Sequence, residues 1–309
     1  MIEQLTALRP HLTENAAITI FSVWGFLLTA TLIGVVLGML KPGPAMESVN
    51  VRIRAWWFMT ALITGTLVLG ELPFVIFMAL VSFLALKEFF SLVPTRLADH
   101  RALFWSYGSI PVQYVAVQQQ WFGLFVLYIP LYHLLVGPLR VALRRNTKGF
   151  VDSSTNIHWG LMLTVFCLSH VAFLAKKDIG LVLFLLILTE LNDVSQFIWG
   201  KLFGKRKVIA EVSPNKTWEG LLGGVLNTTL LGAFLAPHLT PANWAVGALI
   251  GCVVGWTGFC GDIVMSAVKR DMNVKDASEI IPGHGGVLDR VDSLAYTAPL
   301  VFYIFHFWY

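Results

Sequence analysis

Apolar stretches of about 17–25 residues recur along this chain, the length an α-helix needs to cross the hydrocarbon core of a bilayer. Lipid offers the backbone no hydrogen bonds, so only helices or closed barrels can span it. A barrel would show short alternating segments, whereas these runs are long and continuous. The predicted fold class is therefore all-α: a polytopic integral membrane helical bundle of about ten transmembrane helices. The candidate spans are roughly 17–40, 55–71, 73–93, 103–118, 121–139, 158–175, 180–200, 219–236, 244–265 and 294–309. A turn at Glu71-Leu72-Pro73 would separate the second span from the third.

The basic residues alternate between the gaps. Nineteen of the 22 lysines and arginines fall in 41–54, 87–102, 140–157, 201–218 and 266–293, leaving Arg9, Lys176 and Lys177 for the other side. The positive-inside rule puts the richer side in the cytoplasm and both termini outside, with the inner (plasma) membrane as the expected location. Residues 1–16 lack a basic n-region and a small-residue cleavage site, so the first apolar run is expected to be retained. The positive charge lies between apolar spans rather than on one extended face, which argues against a nucleic-acid partner and leaves membrane lipids as the surroundings. Arg140, Arg144, Arg145 and Lys148 read as an orientation signal in contact with anionic lipid. Cys167, Cys252 and Cys260 lie in apolar runs with no metal-type spacing and read as small buried hydrophobes. Residues 1–175 read as membrane scaffold with lipid or dimer contacts, and 176–309 as the catalytic membrane region.

In a chain that is only 13% charged, polar side chains crowd into Ser266 to Asp292, SAVKRDMNVKDASEIIPGHGGVLDRVD, beside Gly261-Asp262. Asp289 and Asp292 stand three apart and share a helix face. With Asp262 approaching from the preceding span they suit a hard cation such as Mg²⁺, which prefers oxygen ligands. The Gly283-His284-Gly285-Gly286 turn lets backbone amides approach an anion, though it lacks the GK[ST] ending of a phosphate loop. His284 reads as a general base, a phosphate donor or a turn residue. Two further elements face the same side. Glu190-Leu191-Asn192-Asp193 puts carboxylates late in a span, where each needs a partner or a wet cavity, and Gly200 and Gly204 after it admit a closely packed helix. Ser213-Pro214-Asn215-Lys216-Thr217-Trp218-Glu219-Gly220 reads as a helix start, with Ser213 as N-cap, Pro214 first in the helix and Lys216 in an anion-attracting first turn. Together these parts suit phosphoryl or nucleotidyl transfer, in which metal ions clamp the attacking and leaving oxygens and basic groups neutralise developing charge.

The run S-x-V-K-R-x4-K-D-x-S-x2-I-P-x-H-G-G-V-x-D-R-V-D, from Ser266 to Asp292, resembles the signature of the phosphatidate cytidylyltransferase (CDP-diglyceride synthase) family at every defined position. The block at 213–220 is similar to the family's SPKKTWEG, with Asn215 in place of a lysine. The segment from Asp193 through Gly200, Gly204 and Lys205 resembles D-x-x-A-Y-x-x-G-x-x-x-G-K, with Gln196 and Phe197 where a small residue and an aromatic one are usual. The resemblance implies transfer of CMP from CTP to a lipid phosphate, with Mg²⁺ as cofactor and a homodimer in the membrane. It implies a catalytic set of Asp262, Lys269, Asp289 and Asp292, with Asp262, Asp289 and Asp292 on the metal. Ser213, Lys216, Glu219 and Arg270 would orient phosphates, Asp193 would support the nucleotide pocket, and Ser266, His284, Gly285, Gly286 and Arg290 would complete the substrate site. The departures at Gln196 and Asn215 bear on which lipid phosphate is accepted, as in a paralogue with another acceptor. A CTP-dependent polyprenol or phytol kinase would release CDP instead of pyrophosphate. A transporter would place its charges near mid-membrane in broken helices.

Overall fold

The computed structural model describes residues 12–40, 43–94, 100–143, 148–278, 280–281 and 285–309. Helices in chain order are α1 (Glu14–Leu40), α2 (Pro44–Leu69), α3 (Glu71–Leu92) and α4 (His100–Gln118). Next, α5 (Phe122–Leu127) runs through a π-helical turn (Tyr128–His133) into α6 (Leu134–Ala142), and α7 (Phe150–Leu161) runs through a second (Met162–Cys167) into α8 (Leu168–Lys177). The chain closes with α9 (Ile179–Phe203), α10 (Trp218–Leu239), α11 (Trp244–Asp271) and α12 (Leu288–Trp308). Among the described residues no strand forms; there are only isolated bridges, Lys207 to Thr217 and Ile281 to Gly285.

Every expected span falls on a helix, yet among the described residues seven helical stretches, not ten, are long and apolar enough to cross a membrane. The remaining three are polar for evident reasons. Helix α2 carries Glu47, Arg52 and Arg54, α4 carries Ser106, Ser109 and Gln113, and α12 opens on Asp289, Arg290 and Asp292. The break between α2 and α3 is Gly70 alone, at φ 126°. It lies one residue before the expected turn, because Pro73 is tolerated in the first helical turn, where its missing N–H has no partner to lose.

Polar contacts sort the bundle into two ends. At one end Asn15 Nδ2 donates to the carbonyl of His238 (2.8 Å), Lys176 pairs with Glu71, and Lys177 Nζ donates to the carbonyl of Phe305 (3.2 Å). The opposite end gathers Glu88 of α3, the 205–217 connection, the foot of α11 and the start of α12.

Helices α9, α10 and α11 pack through glycine. A Cβ on Gly232 would strike the carbonyl of Gly247, and one on Gly251 would strike the carbonyl of Thr228. Gly224 lies against Gln196, and Gly223 against the Trp199 ring. Such contacts replace the hydrophobic drive that lipid cannot supply. Gly200 and Gly204 give the expected close approach, against Thr217 at the head of α10. Gly251→Leu should force α10 and α11 apart and cost about 1–3 kcal/mol. That corresponds to a fall on the order of 5 °C in the melting temperature of detergent-solubilised protein.

Candidate active site

The glycine-packed trio brings three motifs to one end of the bundle. Helix α9 carries Asp193, the connection into α10 carries Lys216, and α11 carries Asp262. Lys216 Nζ sits 2.5 Å from Asp262 Oδ2, 3.4 Å from Gln196 Oε1 and 5.2 Å from the centre of the Phe259 ring. Ser266, one turn below, donates to Asp262 Oδ1 at 3.2 Å. Asp193 Oδ2 accepts from the Ser293 hydroxyl at 3.0 Å, whereas its Oδ1 is buried with no hydrogen-bond partner. Asp292 is 9% exposed, and the Ser293 amide donates to its Oδ1 at 2.7 Å. The charges of Asp193 and Asp262 both bear on Asp292. Burying like charges side by side is costly without a cation to offset them. Here Lys216 meets part of that need.

Gln196, which departs from the family pattern, is built into this arrangement. It is 4% exposed, its Nε2 donates to the carbonyl of Gly255 at 3.3 Å, and its Oε1 faces Lys216. A small residue there would leave Lys216 without that acceptor.

Asp289 belongs to a different arrangement. Lys269 Nζ donates to its Oδ1 at 2.6 Å, while the amides of Ala277 (2.8 Å) and Gly286 (2.9 Å) donate to its Oδ2. Both oxygens are thereby engaged in tying Ala277 and Gly286 to Lys269 of α11. Asp262, Asp289 and Asp292 do not converge as expected from their spacing, and among the described residues no three acidic, histidine or cysteine side chains form a group able to hold an ion. The shared helix face of Asp289 and Asp292 was legible; the loop that claims Asp289 was not. Asp193 Oδ1 is the carboxylate oxygen at this end that is buried without a hydrogen-bond partner, as an oxygen donor to a hard cation would be.

Several expected phosphate contacts are occupied by the protein itself. Helix α10 begins at Trp218, with the Thr217 hydroxyl capping the Gly220 amide at 3.1 Å. Ser213 is not the N-cap, because Ser213-Pro214 forms a turn that the Lys216 amide closes onto the Ser213 carbonyl (3.2 Å). Glu219 accepts from the amides of Lys205 (3.0 Å) and Arg206 (3.2 Å), which explains an acid at the start of a span: it closes the preceding hairpin. Arg270 donates to the carbonyls of Val212 (3.3 Å) and Val274 (3.2 Å) and so straps that hairpin to the foot of α11. Arg290 is exposed at the start of α12, and its charge bears on Asp193. In the turn at 283–286, expected to approach an anion, the Gly286 amide donates to Asp289, and the next two amides, of Val287 and Leu288, donate to Glu88. Gly285 has φ 78°, a left-handed conformation favouring glycine, and a Cβ there would stand 2.7 Å from Asp289 Oδ2. His284 lies outside the described residues.

Glu88 is the residue that sequence reasoning passed over. It is 2% exposed near the end of α3 and accepts from the Ser278 hydroxyl (2.7 Å) and from the amides of Val287 (3.0 Å) and Leu288 (2.7 Å). A signal was present: an acid inside an apolar span costs about 2.5–3.5 kcal/mol on insertion scales and calls for a partner.

The cytidylyltransferase family profile matches residues 50–308. An Escherichia coli K12 protein named "Uncharacterized protein YnbB" is 41% identical over 301 residues, covering 95% of this chain and 98% of that one. The phosphatidate cytidylyltransferase of Haemophilus influenzae is 40% identical over 147 residues, 45% of this chain and 50% of its own. That of Staphylococcus aureus (strain COL) is 29% identical over 248 residues, 75% and 89% respectively. A match that begins in α2 and runs to the last turn of α12 takes in both the glycine-packed trio and the helices that brace it, and on that extent this chain belongs to the cytidylyltransferase family.

Proposed function

We propose that this protein transfers CMP from CTP to a lipid phosphate, with phosphatidate as acceptor, giving CDP-diacylglycerol and pyrophosphate at the cytoplasmic face of the inner membrane. The observation that carries the reading is the meeting of Lys216 with Asp262, beside Asp193 and Asp292. CTP is a cytoplasmic solute, and lipid phosphates present their headgroups at that depth.

In the reaction an oxygen of the lipid phosphate attacks the α-phosphorus of CTP. The new P–O bond forms as the bond to the bridging oxygen of the β-phosphate breaks, and pyrophosphate carries away the electron pair. Lys216 meets the triphosphate and neutralises charge that grows on the leaving group. Lys269, held by Asp289, adds positive potential from the other side. Asp262 and Asp292 would offer oxygen donors to a Mg²⁺ ion, which would supply Lewis-acid charge neutralisation when bound. Gln196, packed against Lys216, shapes the pocket around the phosphates and bears on acceptor choice. The protein works as a homodimer, for which the exposed apolar row Leu222, Leu226, Leu230 and Phe234 on α10 offers a face.

The test uses purified protein, CTP labelled at the α-phosphorus and a panel of lipid phosphates, with and without Mg²⁺. Labelled CDP-lipid and one pyrophosphate per turnover are expected, with phosphatidate preferred and chelator abolishing the reaction. Release of CDP with phosphorylation of a lipid alcohol, or no turnover with any acceptor, overturns the reading.

A further inference from the structure

A carboxylate inside an apolar helix persists only if its oxygens are satisfied. Glu88 meets that demand with donors about 200 residues away in sequence, and all of them come from the signature loop and the start of α12. Two are backbone amides at the head of α12, which a helix leaves without internal partners and where its dipole favours negative charge. The fit is close, since a Cβ on Gly286 would collide with the Glu88 carboxylate. From the other side Asp289 takes the amides of Ala277 and Gly286. The loop is therefore held between two carboxylates, one of which belongs to it. The other stands on α3, in the half of the chain read as scaffold.

We propose that Glu88 is a positioning residue for cytidylyl transfer: its carboxylate caps α12 from α3, folds the signature loop and thereby sets where Asp292 stands relative to Asp262. The functional half of this proposal rests on the reading above; the structural half does not. A shift of about 1 Å at a reacting centre can cost on the order of 100-fold in rate. Glu88 touches no reacting atom, so its effect should appear in kcat through geometry.

Glu88→Ala, Glu88→Gln and a control, Ser82→Ala, decide the matter. The control removes a buried hydrogen bond to Tyr114 (2.7 Å) from the same helix, away from the loop. Each variant is read for kcat, KM for CTP, melting temperature and amide hydrogen exchange over 276–288. Glu88→Ala should speed exchange in that segment about tenfold or more, leave α9–α11 unchanged, and lower kcat about 100-fold with a smaller change in KM. Glu88→Gln keeps one carbonyl acceptor and should recover about tenfold of the lost kcat. It also carries the test if the alanine variant does not fold. Ser82→Ala should lower the melting temperature and leave loop exchange and kcat near wild type. Unchanged exchange over 276–288 in the Glu88 variants, or a kcat within about threefold of wild type in either, overturns the proposal. If the wild-type protein forms no CDP-lipid, the cytidylyl-transfer reading falls, and the exchange comparison still decides whether Glu88 holds the loop.

Discussion

Asp292→Asn is expected to lower turnover by about 100- to 1,000-fold, on the scale that removing one electrostatic contact to a transition state reaches. The same change should leave the fold intact. The new side chain keeps the oxygen that accepts from the Ser293 amide, and it removes a negative charge that Asp193 and Asp262 oppose. In chelator its melting temperature should equal or exceed that of the wild type. Wild-type protein should gain about 2.7 kcal/mol when Mg²⁺ is raised to 100 times its dissociation constant, and the variant should gain far less. Calorimetry with and without the ion measures this independently of turnover. A variant that keeps near-normal turnover and a full Mg²⁺ response removes Asp292 from the site.

Asp289→Asn should fail in a different way. Its partner Lys269 has a side chain only 12% exposed, and Asp289 itself is 5% exposed at the side chain, so the pair is buried. Removing one member of such a pair costs about 3–5 kcal/mol, because the other charge stays behind without compensation. The variant should lose turnover together with stability. Adding Lys269→Met removes the stranded charge, and the amide oxygen introduced by Asp289→Asn is still able to accept from the Ala277 and Gly286 amides. The double variant should therefore regain most of the stability and none of the activity. Paired thermal melts and product assays on the two proteins check both statements. If the single change left the melting temperature unaltered, the bracing role of Asp289 would fall.

The contrast between these aspartates shows where sequence reading stops. Both stand on one helix face and both belong to the same signature, so spacing assigns them one role. The structure separates them through contacts that spacing does not encode: Lys269 lies 20 positions upstream, and the amide of Ala277 belongs to a loop without helical period. Ser213 is a similar case. Ser before Pro is a sound N-cap pattern, but Thr217 begins the helix, because the Ser213-Pro214 turn belongs to the hairpin that Glu219 closes. Glu88 went unnoticed because its donors are far off in sequence, although its own cost in an apolar helix was visible.

What the sequence determined alone was the helical class, the apolar runs that become long helices and the family. The reason is that lipid imposes one backbone solution, and an apolar run of sufficient length meets it locally. Tertiary structure decided which carboxylates share a space and which brace a loop. Those choices depend on where Gly232, Gly247 and Gly251 let helices approach and on which buried donors need an acceptor. Both are relations between distant segments, and no local pattern carries them.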